Sequence, residues 1–399
     1  MRWRNLSYWA AVTLCLEVAA GELIGWLRFA LTSNLKGPDF YTYYAISLLL
    51  LRRGPGAVYD FAVQKQFQEQ VTSQWSGHFI LLPHILPPWV TLIFYPLALL
   101  PYRASYLAWG ASILLLVGAA IAILLRAAGL RGRAALLGAA AAAASLPVLV
   151  LLIQGQSDAP MIAAVAAASL AWTARRPARA GAFAALGLVK PQLLLLLPVL
   201  FLVRRSWRAV AAFSAGCVVL VLLSLAVFGP AACLAWLRIL APWAFAGQAN
   251  FPVDTQAQFS LRGLLQLLGV PLAPQLLLLA FGLLALAAVL LRARADPRLE
   301  LALAIVGSMA LSPYQHAHDL ALLIVPGLLL GGALPVLRHR RIGAALLLAG
   351  WIGLELLVFA PVLTAVAIVA AALYLAWECL VAGASPPTRE GPAVAAAAA

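Results

Sequence analysis

The chain has 399 residues, 64% of them hydrophobic and only 10% charged, with a mean hydropathy of +0.98. Soluble domains run at roughly 45–50% apolar and about 25% charged residues, so a water-soluble globule is excluded. A net charge of +14 would suit nucleic acid, but the basic residues sit in short turns between apolar runs, which excludes that partner too.

In chain order, a short basic start (Met1-Arg2-Trp3-Arg4) leads into an apolar run over 8–27. That run is about the 20 residues a crossing needs and has no small-residue cleavage site, so it reads as a retained anchor. Arginine clusters then punctuate the chain at 126/131/133, 175/176/179, 204/205/208, 292/294/298 and 338/340/341. Under the positive-inside rule each cluster belongs on the cytoplasmic side. The stretch 87–125 is long enough for one crossing or two. Only a single crossing over 102–125 leaves every cluster inside, so 87–100 reads as a segment lying on or dipping into the membrane.

The expected crossings are 8–27, 102–125, 134–153, 157–173, 178–189, 191–203, 209–228, 272–291, 299–311, 320–334, 342–358 and 362–381. This predicts an all-α polytopic membrane protein of about 12 transmembrane helices with both ends cytoplasmic. The segments 178–189 and 191–203 are too short to cross alone, and predict a broken pair meeting at Lys190-Pro191 beside a wet cavity. Two large external loops result, 28–101 and 229–271, the first carrying short surface helices. Residues 1–384 form one domain in this reading, and 385–399 a disordered cytoplasmic tail. Cys15, Cys217, Cys233 and Cys379 lie far apart with no CxxC spacing, so neither a disulfide framework nor a zinc site is expected.

Four polar groups fall on the external side of this topology. They are Asp39-Phe40-Tyr41-Thr42-Tyr43-Tyr44, Gln154-Gly155-Gln156-Ser157-Asp158, Lys190-Pro191-Gln192, and Ser312-Pro313-Tyr314-Gln315-His316-Ala317-His318-Asp319. Each has a structural reading of its own: Asp39 as a helix N-cap, Gly-Gln-Ser-Asp as a helix-to-helix turn, Lys190 as a snorkelling side chain. Together they are harder to explain structurally. Ionisable groups at membrane depth cost roughly 2.5–3.5 kcal/mol each and usually mark function. An acid–base site beside a cation suited to phosphate is the chemistry they suggest.

Asp-Phe-x-x-Tyr-Tyr followed by a helix, Gly54 and Tyr59-Asp60 resembles the opening of glycosyltransferase family 87. Similar too are Pro87-Pro88-Trp89 with the run Tyr95 to Pro101, Gly155-Gln156, Lys190-Pro191-Gln192 and the Ser312-Pro313 … His318-Asp319 turn, so that the resemblance covers about residues 5–380. The pattern departs at Ser157-Asp158, where family members carry apolar or Asn residues, and this leaves the role of Asp158 open. The resemblance implies a C-type glycosyltransferase architecture, with the active site at the outer face of a bacterial inner membrane. It implies a polyprenyl-phosphate donor carrying mannose or arabinofuranose, and a lipid-linked glycan or polysaccharide acceptor in cell-envelope biogenesis. It places the catalytic acid at Asp39 and a family histidine at His318.

The residues themselves fit such chemistry. A carboxylate can take the proton of an acceptor hydroxyl, and one base with one in-line attack gives inversion. The departing phosphate needs charge neutralisation, for which Lys190, Arg262, Arg238 and His318 are candidates. Tyr43, Tyr44, Gln156, Asp158, Gln192, Tyr314 and His316 are candidate substrate contacts, and Trp89 a stacking surface. No Asp-x-Asp pair occurs, so no metal or other cofactor is expected. The alternative is a polyprenyl-lipid or sugar transporter, since broken helices around polar residues also build transport sites. No internal repeat supports it.

Overall fold

The computed structural model describes residues 2–33, 39–72, 81–245, 258–356 and 360–384. The expected disordered tail, Gly37-Pro38 and parts of both external loops lie outside these residues. The first half holds α1 (Arg2–Thr32), α2 (Phe40–Arg53), α3 (Phe61–Thr72), α4 (Pro88–Phe94), α5 (Tyr102–Ala128), α6 (Gly132–Ala143), α7 (Leu146–Gln154) and α8 (Asp158–Thr173). Then come α9 (Pro177–Leu186), α10 (Leu196–Val203), α11 (Trp207–Phe245), α12 (Leu261–Leu267) and α13 (Leu272–Arg292). The last are α14 (Pro297–Ala310), α15 (Ile324–Ala333), α16 (Arg340–Glu355) and α17 (Pro361–Ala384). No strand occurs among the described residues.

Six helical stretches are long and apolar enough to cross a membrane: Asn5–Thr32, Tyr102–Ala128, Trp207–Leu240, Leu272–Arg292, Ala317–Val336 and Val362–Ala382. This makes the chain a multi-pass membrane protein. A seventh crossing arises if α6 and α7 count together, but they meet at a bend of 43°. The straight span expected over 134–153 is therefore broken, at Ala144-Ser145. Twelve full-length crossings are not present among the described residues; the difference lies in short helices buried inside the bundle. Residues 299–310 of α14 are all buried, packed among α8, α10, α13, α15 and α17. Helices shielded from lipid by protein need not span the hydrocarbon, because their ends find polar partners within the fold. A second correction concerns α11, which runs past Phe228 through non-helical Gly229 to Phe245. The first part of the expected loop 229–271 is thus helix. Val218, Val219, Leu222 and Leu223 of α11 are exposed, as suits lipid-facing surface.

Arg204 and Arg298, from two of the arginine clusters, bind helix C-termini at one end of the bundle. Arg298 donates to the carbonyls of Ala128 (3.0 Å) and Gly332 (2.7 Å), while Arg204 pairs with Glu300 and reaches the Ala293 carbonyl. Cations complement the negative ends of helix dipoles. From there α14 runs about 21 Å toward the opposite end, at the usual rise of about 1.5 Å per residue. That far end carries the candidate site.

The described part of 39–101, which the sequence reading takes as an external loop, is packed against the bundle. Gln64 donates to the Val58 carbonyl at 2.8 Å and accepts from His84 N–H at 2.8 Å. Gln68 brackets Leu82 in the same way, through its carbonyl at 2.9 Å and its N–H at 3.2 Å. Trp236 of α11 donates to the Ile85 carbonyl, and Trp89 to the Leu188 carbonyl. The segment 88–99 is a short helix and a 3₁₀ turn, too short to cross.

Candidate active site

Four interruptions of helix meet at the far end: the start of α2, the α7–α8 turn, the α9–α10 break and the segment 311–316 after α14. Asp39 stands at the N-cap position of α2, yet its carboxylate makes no capping bond. Its Oδ2 instead accepts a short hydrogen bond from Gln156 Nε2, and its backbone N–H donates to Gln154 Oε1 at 3.1 Å. No donor among the described residues reaches Oδ1. Burial pushes the Asp39 pKa up to about 6, against the Gln156 hydrogen bond and the Lys190 charge, which both favour the ionised form. Gln156 is oriented in turn by Tyr43, whose hydroxyl donates to Gln156 Oε1 at 2.5 Å. The Tyr43 ring stacks on Phe94 at 4.4 Å.

The α7–α8 turn depends on Gly155, at φ +60°. Its N–H and that of Gln156 return to the Leu152 and Leu151 carbonyls, closing α7 in a left-handed C-cap. Any Cβ there would overlap the Phe40 side chain, so the position excludes larger residues on two grounds. The carbonyls left at the end of α7 are met by α5. Tyr106 donates to Leu152 and Ile153 at 3.0 and 2.9 Å, and Trp109 to Gly155 at 2.9 Å. Unpaired carbonyls at membrane depth are costly, which accounts for two polar-tipped aromatics on one turn of α5.

Lys190 lies in the non-helical stretch between α9 and α10. Its Nζ bridges Asp158 Oδ2 at 2.9 Å and Asp319 Oδ1 at 2.6 Å, with all three residues buried. The sequence reading turned Lys190 toward a phosphate; the fold turns it toward two carboxylates. The ammonium is thus shared between two carboxylates, with which a donor phosphate would have to compete. His318 Nε2 lies 3.6 Å from Asp319 Oδ1, beyond hydrogen-bonding distance. Asp158, His318 and Asp319 also form a metal-type ligand set, with ligand atoms within 4.8 Å of one another.

The segment after α14 is held by its own side chains. Asp319 Oδ2 accepts from His316 N–H at 2.7 Å, and the His316 ring pairs with the Tyr314 hydroxyl at 2.6 Å. Arg262, buried on α12, donates to the Pro313 carbonyl and to Gln275 Oε1 at 3.3 Å.

The fold therefore gathers Asp39, Tyr43, Gln156, Asp158, Lys190, His318, Tyr314 and His316 around one region, with Arg262 anchored beside it. Tyr44 does not join them: its hydroxyl donates to the Leu100 carbonyl within an aromatic cluster with Phe40 and Tyr102. Gln192 sits half-buried on the 3₁₀ turn after Lys190, and Arg238 is exposed on α11. Three participants were missed from sequence. Gln154 and Asp319 stood in the polar runs without being given a role of their own. His84, paired with Thr91 Oγ1 at 2.8 Å, had no motif around it. Burial pushes His84 down to about 3, so it acts as a neutral spacer behind Tyr43.

The sequence matches the family model described as Glycosyltransferase family 87 over residues 85–313, more than half of the chain. The chain belongs to glycosyltransferase family 87. No curated protein and no solved structure matches it. Membership makes this protein a membrane glycosyltransferase, and decides between the transferase and transporter readings. The family 87 match takes in Gln156, Asp158, Lys190 and Arg262, while Asp39 and His318 lie outside it.

Proposed function

We propose that this family 87 enzyme moves a sugar of the mannose or arabinofuranose class from a polyprenyl-phosphate donor to a lipid-linked glycan or polysaccharide. The carrying observation is Asp39: a half-buried carboxylate with one oxygen held by a neutral amide and the other meeting no donor among the described residues, at a pKa near 6. Asp158 and Asp319 are fully buried and ion-paired to Lys190, whereas Asp39 is half-buried with no ion pair among the described residues, which favours Asp39 as the proton acceptor.

In the reaction, Asp39 Oδ1 accepts the proton of the acceptor hydroxyl. The freed oxygen attacks the anomeric carbon in line, and the bond to the phosphate oxygen breaks with its electron pair leaving on the phosphate. One displacement inverts the anomeric centre. Arg262, with its planar donor fork, is the phosphate contact in this scheme, and His318 the neighbouring hydrogen-bonding group. Tyr43 and Gln156 hold the base; Tyr314, His316 and Gln192 border the substrate-facing wall. The architecture is C-type, its twelve membrane passages made up by the short and broken helices. Membranes carrying the enzyme should release polyprenyl phosphate from one member of a panel of radiolabelled polyprenyl-phosphate sugars and yield a labelled glycolipid. Labelling only from nucleotide sugars would overturn the donor class.

The site faces outward from the plasma membrane, since the arginine-rich end belongs inside. An impermeant maleimide added to intact cells should label Lys65→Cys, exposed on α3, and spare Arg176→Cys, exposed between α8 and α9. The reverse pattern would invert the orientation and remove the site from the outer face.

A further inference from the structure

We propose that Asp158, His318 and Asp319 form a cation pocket whose resident cation is the Lys190 ammonium, carried by the chain in the place a divalent ion would take. Three observations carry this. The ligand atoms of these residues lie within 4.8 Å of one another in a buried setting, and two carboxylates with one imidazole suit a zinc-like ion. The ammonium bridges the two carboxylates at 2.9 and 2.6 Å. Asp158 Oδ1 is buried with no donor among the described residues, so the set has coordinating capacity that the ammonium leaves unused.

The three elements joined here are distant in sequence, and each is a helix interruption: the α7–α8 turn, the α9–α10 break and the start of the 3₁₀ turn before α15. Two buried carboxylates side by side repel one another and need a cation between them. A lysine fixed at the break supplies that charge without a diffusible ion. Lys190 is accordingly a positioning residue: through the Asp158 turn it holds Gln156, which in turn holds Asp39. This consequence for transfer rests on Asp39 being the base, whereas the pocket itself does not.

Removing the ammonium while keeping the ligands tests the assignment without any donor sugar. The purified full-length Lys190→Ala protein in detergent, equilibrated with zinc chloride and desalted, should retain about one Zn²⁺ per chain more than the native protein. Zinc should raise its thermal midpoint, and both effects should vanish in Lys190→Ala/Asp319→Asn. Equal zinc content in Lys190→Ala and native protein, or unchanged zinc in the double variant, overturns the pocket. Should Lys190→Ala fail to accumulate, the neutral triple variant Asp158→Asn/Lys190→Met/Asp319→Asn decides. Its accumulation supports ammonium as counter-charge, and its failure overturns that role. Loss of native transfer on treatment with a chelator would also overturn it, because the native pocket would then hold a metal.

Discussion

Asp39→Asn should insert and fold normally yet lower sugar transfer by about 10²–10⁴-fold, the usual contribution of a positioned general base. The fold survives because asparagine keeps an acceptor oxygen for Gln156 and because the bond to Gln154 comes from the backbone. A general base works only when ionised, so with Asp39 in that role kcat/KM should rise with pH and level off above about 6. Below that midpoint the loss should approach tenfold per pH unit. Gln156→Ala removes the hydrogen bond that favours the carboxylate, and its midpoint should move above that of the native enzyme. Initial rates measured between pH 5 and 8 check both expectations; unchanged transfer by Asp39→Asn would remove the base.

Stability should show the opposite trend. The folded pKa of Asp39 lies above the value of about 3.9 in an unfolded chain. The stabilisation of the protonated form is fully present below pH 4 and is lost as pH rises through about 6. Asp39→Asn should therefore match the native thermal midpoint in mild acid and exceed it near pH 8. As the proposed base, Asp39 would work in the pH range where its charge costs the fold stability.

Lys190→Met should destabilise the protein by about 3–5 kcal/mol and abolish transfer, the largest loss of stability expected from a single substitution here. Methionine fills much of the volume, so the cost is electrostatic: two buried carboxylates lose their shared cation. Asp158→Asn/Lys190→Met/Asp319→Asn removes all three charges and should recover most of the stability, since neutral replacement of buried ion groups is often nearly neutral. Transfer should stay low in the triple variant. Thermal unfolding in one detergent, with transfer measured in parallel, separates the two effects. A Lys190→Met protein as stable as the native one would show that the bridge contributes nothing.

The membrane solvent and several of the places where helices break, such as Gly155 and Lys190-Pro191, were legible in the sequence, because composition and proline or glycine act locally. Asp39, Gln156, Lys190 and His318 could be singled out for the same reason: polar residues stand out in an apolar chain. The length of each helix was less legible. Charge counting treated 134–153 and 299–311 as crossings, whereas packing bends the first and buries the second. A hydrophobic run reads alike whether lipid or protein surrounds it.

Partner choice was beyond sequence altogether. Asp39 meets Gln156 across 117 positions and Lys190 meets Asp319 across 129. No local propensity encodes such pairings; they exist because α5, α8 and α14 bring the breaks to one end of the bundle. The chain alone thus specified an apolar, arginine-sided, helical protein with a few ionisable residues at its breaks. Tertiary packing decided that Asp39 is oriented by an amide instead of capping its helix, and that Lys190 answers two carboxylates. The physical reason is burial: a charge that loses water must be answered by whichever group the fold sets beside it.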